Sequence, residues 1–332
     1  VVSLQDFIDC LLKNICMHTM ALNGKAIIYE GLGGPEVIKV IEHNVRPPEA
    51  GEVRIKVKAA AVNPTDALLR KIENNMVKFP VIPGTDAAGV IESVGQGVST
   101  LQVGDKVMAA VTPYRPDGGA QATFIIAPVT SVVKMPAGVT FAQAAGLPMN
   151  GLTSLGAIEL TGLRAGQVLA ISGGAGVLAH YTIASAKKQG LTVITDAKTE
   201  ENALVRSYGA DFVVERGDDF ASAIRKQFPD GVDALIDTAV LGNKSFSAIC
   251  DGGIYIHVRR TADVPNERRI QARLIWYPDL LRRTEWLNQL REMVENGEIQ
   301  LKVAGEYLPE QVYEAQQTLA AGGLRGRAVI VF

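Results

Sequence analysis

Between Val168 and Val258 the chain repeats one pattern, a short apolar run followed by a stretch of helical length. The runs are VLAI (168–171), LTVIT (191–195), DFVV (211–214), VDALID (232–237) and GIYIHV (253–258). Helices are expected up to Gln189 and over 200–208, 217–228 and 243–250, and IQARLIW (270–276) supplies a further strand. Strands that are apolar along their whole length are buried on both faces. Alternation of this kind with short connections therefore means a parallel sheet covered by helices on both sides, an α/β doubly wound domain.

The first strand–helix junction reads ISGGAGVLAH (171–180). A glycine loop at the carboxyl end of a strand, opening a helix, presents unpaired N–H groups and the positive end of the helix dipole to a phosphate. In the dinucleotide fingerprint, Gly174 makes the tight turn and Gly176 lets the backbone approach the pyrophosphate. Ala179 takes the third position, where helix packs on strand, and Val177 and Leu178 can face the core. The expected cofactor-binding set is thus Ser172, Gly173, Gly174, Ala175, Gly176 and Val177. The choice between cofactors falls at the end of the second strand, in VITDAK. Asp196 stands at the distance from the loop where an acid bonds the ribose hydroxyls of NAD, while Lys198 could pair with the 2′-phosphate of NADP. Thr238 and Val258 follow the fourth and fifth strands, at the sheet edge where ligands bind, and are expected to line the nicotinamide pocket.

The flanks have a different rhythm. KAIIYEG, EVIKVIEH, GEVRIKVKAAAV, AAGVIESVG, DKVMAAV and ATFIIAP read as short strands punctuated by Gly and Pro, an all-β-leaning module before the sheet. From about Pro278 an amphipathic helix (LLRRTEWLNQLREMVENG) leads to short strands, a second helix (EQVYEAQQTLAAGG) and a final strand, RAVIVF. With 332 residues of which 47% are hydrophobic, the chain can fill two cores. A net charge of −2 with well-mixed signs leaves no footprint for nucleic acid or an anionic membrane. Apolar stretches of around ten residues fall short of the roughly 20 that span a bilayer. Cys10, Cys16 and Cys250 form no disulfide framework, which suits a reducing, cytoplasmic setting. Residues 1–23 read as a poorly ordered extension.

IPGTDAAGVIESVGQGVSTLQVGDKV, GLTSLGAIE, SGGAGVLAH and GGLRGRAVIVF, in that order, resemble the medium-chain dehydrogenase/reductase superfamily, and more specifically its zinc-free quinone oxidoreductase branch. The resemblance runs from about Gly24 to Phe332. It implies a GroES-like catalytic domain over 24–147, completed by 279–332, and a Rossmann dinucleotide-binding domain over 148–278. Zinc-dependent relatives carry Cys in the place of Asn63, His and Glu within the segment that here reads Gly84-Thr85-Asp86, and Cys or Asp near Asn150. No cysteine lies between Cys16 and Cys250, so the structural zinc lobe of those relatives is missing too, and His18, His43, His180 and His257 are scattered singly. A tetrahedral site needs several N or S donors together, so no zinc is expected.

Without that Lewis acid the branch delivers hydride from NADPH to an acceptor that is already electrophilic, a quinone or an α,β-unsaturated carbonyl. Asn63, where the relatives have a metal ligand, is the expected donor to the carbonyl oxygen. Asp66 follows in the same motif, although Asn63-Pro64-Thr65-Asp66 also reads as a capped turn before a helix. Thr153 resembles the residue that contacts the nicotinamide end. Register against the family puts its NAD-selecting acid at Ala197, so Lys198 points to NADPH, with NADH the alternative; the family's later basic position holds Glu200-Glu201. IQARLIW is an edge strand that invites a second copy, which implies a homodimer. A different class of function stays open on the same fold, a low-turnover NADPH-binding scaffold, sensor or stress protein.

Overall fold

The computed structural model describes residues 21–73, 75–259 and 264–332. The expected extension lies outside the described residues up to position 20. Its last two residues do not belong to it: Leu22 and Asn23 pair with Val45 and Asn44 in the first hairpin.

Along the chain the elements are β1 (Leu22–Tyr29), β2 (Ile38–Val45), β3 (Glu52–Ala61), α1 (Pro64–Leu69), β4 (Asp86–Val94), β5 (Lys106–Ala110), β6 (Phe124–Pro128), β7 (Val132–Lys134) and α2 (Phe141–Ala145). There follow α3 (Pro148–Thr161), β8 (Val168–Ile171), α4 (Val177–Lys188), β9 (Thr192–Ala197), α5 (Asn202–Ser207), β10 (Phe212–Glu215), α6 (Phe220–Gln227) and β11 (Val232–Asp237). The remainder is α7 (Asn243–Phe246), β12 (Ile249–His257), β13 (Gln271–Leu274), α8 (Thr284–Glu295), β14 (Val303–Tyr307), α9 (Val312–Ala321) and β15 (Arg327–Val331). Two compact units result. One runs to Pro148 and resumes at Lys302–Phe332, and the other is Met149–Leu301.

The first unit is β-rich. Its main sheet has the order β14-β15-β3-β4-β5-β7, with β6 also paired to β3, and β1 and β2 form a separate hairpin. β3 is its centre, and the small Ala59, Ala60 and Ala61 on that strand pair with Val331, Ile330 and Val329 of β15. One core gathers Val53, Ile55, Val57, Ile91, Val107 and Ile125, and a second gathers Ile27, Tyr29, Val62, Leu69, Ala315 and Ile330.

The second unit carries a six-stranded sheet in the order β10-β9-β8-β11-β12-β13. Every pairing in it is parallel. Successive side chains of a strand point to opposite faces. Leu169, Ile171, Val193, Ala234, Ile236 and Ile256 accordingly pack with Ala179, Ile183 and Ala186 of α4 on one face. Ala170, Ile194, Leu235 and Tyr255 pack with Phe220, Ala221 and Ile224 of α6 on the other. Both faces being apolar is why VLAI and VDALID read as unbroken hydrophobic runs.

Two sequence boundaries shift. The helix expected over 243–250 stops at Phe246, because Ala248 and Ile249 are drawn into the core beside β11, where Val232 pairs with Ile249. The segment 279–301, expected to return to the β-rich domain, is compact with the second unit. The cause is packing against α3. A Cβ on Gly151 would meet Leu290 at 2.5 Å, and one on Gly156 would meet Leu280 at 2.9 Å. Bare backbone at these two positions receives the leucines, and Leu287, Leu290 and Met293 of α8 are fully buried.

Candidate functional site

The glycine loop is built by β8, α4 and the end of β9. Ser172 N–H donates to the Ile236 carbonyl at 3.1 Å, so β8 is held by β11 up to the loop itself. Gly173 then takes φ +74°, a left-handed conformation in which a side chain is strained. Gly174 N–H donates to the Asp196 carbonyl at 3.1 Å. A Cβ there would lie 2.5 Å from Thr195 Oγ1 and 2.6 Å from Asp196 O, so only glycine fits this approach. Gly176 is the N-cap of the 12-residue α4, and its carbonyl accepts from His180 N–H at 2.9 Å. The first helical N–H groups, from Val177 onward, have no partner inside the helix and face the space ahead of the loop. Ala179 is buried where a third glycine would stand. Val177 and Leu178 are only half-buried and do not anchor the helix as expected; Ala179, Ile183 and Ala186 do so.

Ser172 and Thr238 join the loop to the end of β11. Ser172 Oγ donates to Asp237 Oδ1 at 2.6 Å and accepts from Ala239 N–H at 3.0 Å. Thr238 Oγ1 donates to the Ser172 carbonyl at 2.5 Å. Asp237 also accepts from Tyr255 OH and from the N–H groups of Leu241 and Gly242, so it ties two strand ends and the 238–242 turn together. Within that turn Val240 has φ +59°, unusual for a β-branched residue. Val258 packs half-buried against the sheet core. Thr153 lies on α3, buried, with its hydroxyl 4.0 Å from Met149 Sδ.

At the end of β9 the two residues named from sequence part company. Asp196 is buried, and its carboxylate accepts from Gly173 N–H. Burial pushes its carboxyl above the ordinary range, and the Gly173 hydrogen bond and the Arg216 guanidinium 3.8 Å away oppose that shift. Lys198 is 58% exposed and lies 3.9 Å from Glu200. It does not line the cavity of about 220 Å3 beside the loop, whose walls include Asp196, Arg216, Ala239, Leu241 and Lys244. Arg216 and Lys244 line this cavity but lie outside the cofactor-binding set expected from the sequence. A basic residue closing the third strand, in FVVERG, was the available signal.

In the first unit Asn63 and Asp66 do come together, in a buried polar network. Asn63 caps α1, and its N–H donates to Asp66 Oδ2 at 2.8 Å. Asn63 Nδ2 donates to Thr85 Oγ1 and Asp86 Oδ2, both at 2.9 Å, while its Oδ1 accepts from Arg327 Nη2 at 2.6 Å. Both amide protons and the carbonyl are thus engaged within the unit, and the residue is 0% exposed. The amide expected to reach a substrate carbonyl is instead a keystone of this fold. Gln121 Nε2 donates to Asp66 Oδ2 at 3.0 Å, and burial raises the Asp66 carboxyl to about 7, with Asp86 adding to the shift and Arg327 opposing it. These residues do not fit a zinc ion. They offer two amides, a hydroxyl and two carboxylates but no thiolate or imidazole, with the Arg327 guanidinium 3.5 Å from Asp86. Among the described residues no three His, Cys, Asp or Glu side chains gather as a metal site.

Comparison with known proteins agrees with this architecture. Residues 49–137 match the alcohol dehydrogenase GroES-like domain, and 208–330 match a family described as zinc-binding dehydrogenase. In the latter stretch Cys250 and His257 are the sole thiol and imidazole. The chain is 30% identical to the chloroplastic NADPH-dependent alkenal/one oxidoreductase of Arabidopsis thaliana, over 92% of this chain and 79% of that protein. It is 34% identical to the chloroplast envelope quinone oxidoreductase homolog of the same plant, over 67% of this chain and 68% of the relative. The structure of mycobacterial Rv1454c complexed with NADPH superposes with a TM-score of 0.79 at 25% identity, covering 93% of this chain and all of that one (100%). A β-rich GroES-like unit, a six-stranded parallel sheet with its glycine loop, and these relatives place the chain in the medium-chain dehydrogenase/reductase superfamily, as an oxidoreductase related to quinone oxidoreductases and alkenal reductases.

Proposed function

We propose that this protein is an NAD(P)H-dependent, zinc-independent reductase of quinones or α,β-unsaturated carbonyl compounds. The observation that carries the reading is the cradle at Gly173–Gly176, where a side chain on Gly174 would collide with β9 and the head of α4 is left open. Such a cradle suits a pyrophosphate, which the Val177 and Leu178 N–H groups and the helix dipole can hold. The nicotinamide dinucleotide supplies a hydride when bound. Asp237 fixes the turn at 238–242 beside that loop through its four hydrogen bonds. The network around Asn63 holds no thiolate or imidazole for a zinc ion, which favours an acceptor that needs no such activation. The names of the two plant relatives support the same acceptor classes.

The test follows absorbance of NADPH in the presence of quinones, 2-alkenals and enones, with saturated aldehydes as controls and a chelator in parallel. Turnover of the conjugated acceptors, unaffected by chelation, is expected. Turnover restricted to saturated carbonyls, or abolished by the chelator, would refute the proposal. A second reading, a low-turnover NADPH-binding scaffold, is favoured by the full engagement of the Asn63 amide inside the fold. Binding without turnover across the whole panel would select it.

A homodimer is also proposed. Among the described residues β13 is one of the two edge strands of the parallel sheet, β10 being the other, and an edge strand is a row of backbone groups suited to a second copy. Light scattering at micromolar concentration should give twice the chain mass, and a monomer would end this idea. Among the described residues no helix is long and apolar enough to cross a membrane.

A further inference from the structure

The cavity beside the glycine loop brings two cations to the place where the adenosine ribose of a bound dinucleotide is read. Arg216 N–H donates to the Ala197 carbonyl at 2.9 Å, which sets the residue at the carboxyl ends of β9 and β10, directly after Asp196 and Ala197. Its side chain is 45% exposed and lines the cavity together with Lys244, which is 62% exposed. Ala239 and Leu241 give the same cavity an apolar wall. Asp196 also lines the cavity, but one of its carboxylate oxygens is held by Gly173 N–H and the side chain is buried, so at most the other oxygen faces the ribose. An acid that selects NAD must offer its oxygens to the ribose hydroxyls, whereas an arginine nearby accommodates a 2′-phosphate.

We propose that Arg216, assisted by Lys244, reads the 2′-phosphate of NADPH, and that Lys198 takes no part. This rests on the NAD(P)H reading of the glycine loop. The charges around the cavity are compatible with a dianion. Asp218 holds Lys244 at 2.7 Å but is 90% exposed, so a phosphate can displace it. Asp196 lies 3.8 Å from Arg216, beyond hydrogen-bond distance, which leaves the guanidinium fork available. A guanidinium binds phosphate through two parallel N–H bonds, so an Arg-to-Lys change at this position keeps the charge and loses the fork.

The experiment measures dissociation constants for NADPH and NADH by nicotinamide fluorescence at low and moderate salt. The proteins are the wild type, Arg216→Gln, Arg216→Lys, Lys244→Gln and Lys198→Gln. Adenosine 2′,5′-bisphosphate and 5′-AMP serve as competing fragments. Tighter binding of NADPH than NADH is expected in the wild type. Arg216→Gln should weaken NADPH roughly 10- to 100-fold, the range for lost hydrogen bonds to a charged group, and leave NADH within about twofold. Arg216→Lys and Lys244→Gln should fall between, and Lys198→Gln should match the wild type. An equal loss for both cofactors in Arg216→Gln, no loss in that variant, or a selective loss in Lys198→Gln would overturn the inference while the reductase reading stands. Failure of the wild type to bind either cofactor would overturn both.

Discussion

Each unit contains a buried carboxylate at the centre of a polar network, and the two networks are completed to different degrees. Asp237 accepts four hydrogen bonds, from Ser172, Leu241, Gly242 and Tyr255. Around Asn63, by contrast, Thr65 Oγ1, Asp66 Oδ1, Gln121 Oε1 and Arg327 Nε are buried with no hydrogen-bond partner among the described residues. Burial pushes the Asp66 carboxyl up to about 7, with Asp86 adding to the shift and the Asn63 and Gly84 N–H groups and the Arg327 guanidinium opposing it. The completed network fastens a loop, whereas the incomplete one holds a group that titrates near neutrality.

The largest effect should come from emptying the completed network. Asp237→Ala strands two hydroxyls and two backbone N–H groups, and urea unfolding should show a loss of about 4 kcal/mol, each stranded buried group costing ~1 kcal/mol or more. Asn63→Ala should follow with about 3 kcal/mol, because it leaves Arg327 and Asp86 without the amide that joins them. If Asn63→Ala proves the costlier of the two, the ranking of the networks is reversed and the contrast fails.

Asp66→Asn sharpens the contrast through pH rather than through magnitude at one condition. The native carboxyl holds its proton up to about 7, whereas an unfolded aspartate releases it near ~4. Across that window the unfolded chain binds fewer protons, so the Asp66 contribution to stability falls as pH rises. The difference between wild type and Asp66→Asn in unfolding free energy should therefore move in the variant's favour from about pH 4 to pH 7. A difference that is constant over this range would show that the Asp66 carboxyl titrates alike in the native and unfolded chain, without the raised native value. The smallest effect belongs to Thr153→Val. Among the described residues its hydroxyl makes a long contact to Met149 Sδ, so the variant should unfold within about 0.5 kcal/mol of wild type. A selective change in turnover, with unfolding unaltered, would then assign the hydroxyl to the chemistry.

What the sequence made legible was local. The parallel sheet could be read because strands buried on both faces leave runs such as VLAI and VDALID, and the glycine loop because Gly173, Gly174 and Gly176 each answer a backbone demand. The partners of the site residues were not legible. Nothing near Asn63 announces that Arg327, 264 positions away, will engage its carbonyl. Nothing in VITDAK shows that an Asp196 carboxylate oxygen turns back 23 positions to accept from Gly173 N–H. Arg216 was hidden for a related reason, since its nearness to Ala197 comes from strand pairing and not from spacing along the chain.

The split of the β-rich unit around the other one sets an order of events during synthesis. Residues 149–301 form a continuous stretch and can complete their sheet before residues 302–332 are translated. Until then β3 lacks β15, and Asn63 and Asp86 lack the guanidinium of Arg327. Once Leu301 has cleared the ribosome, the nascent chain has every residue of one unit available and the other still open at β3.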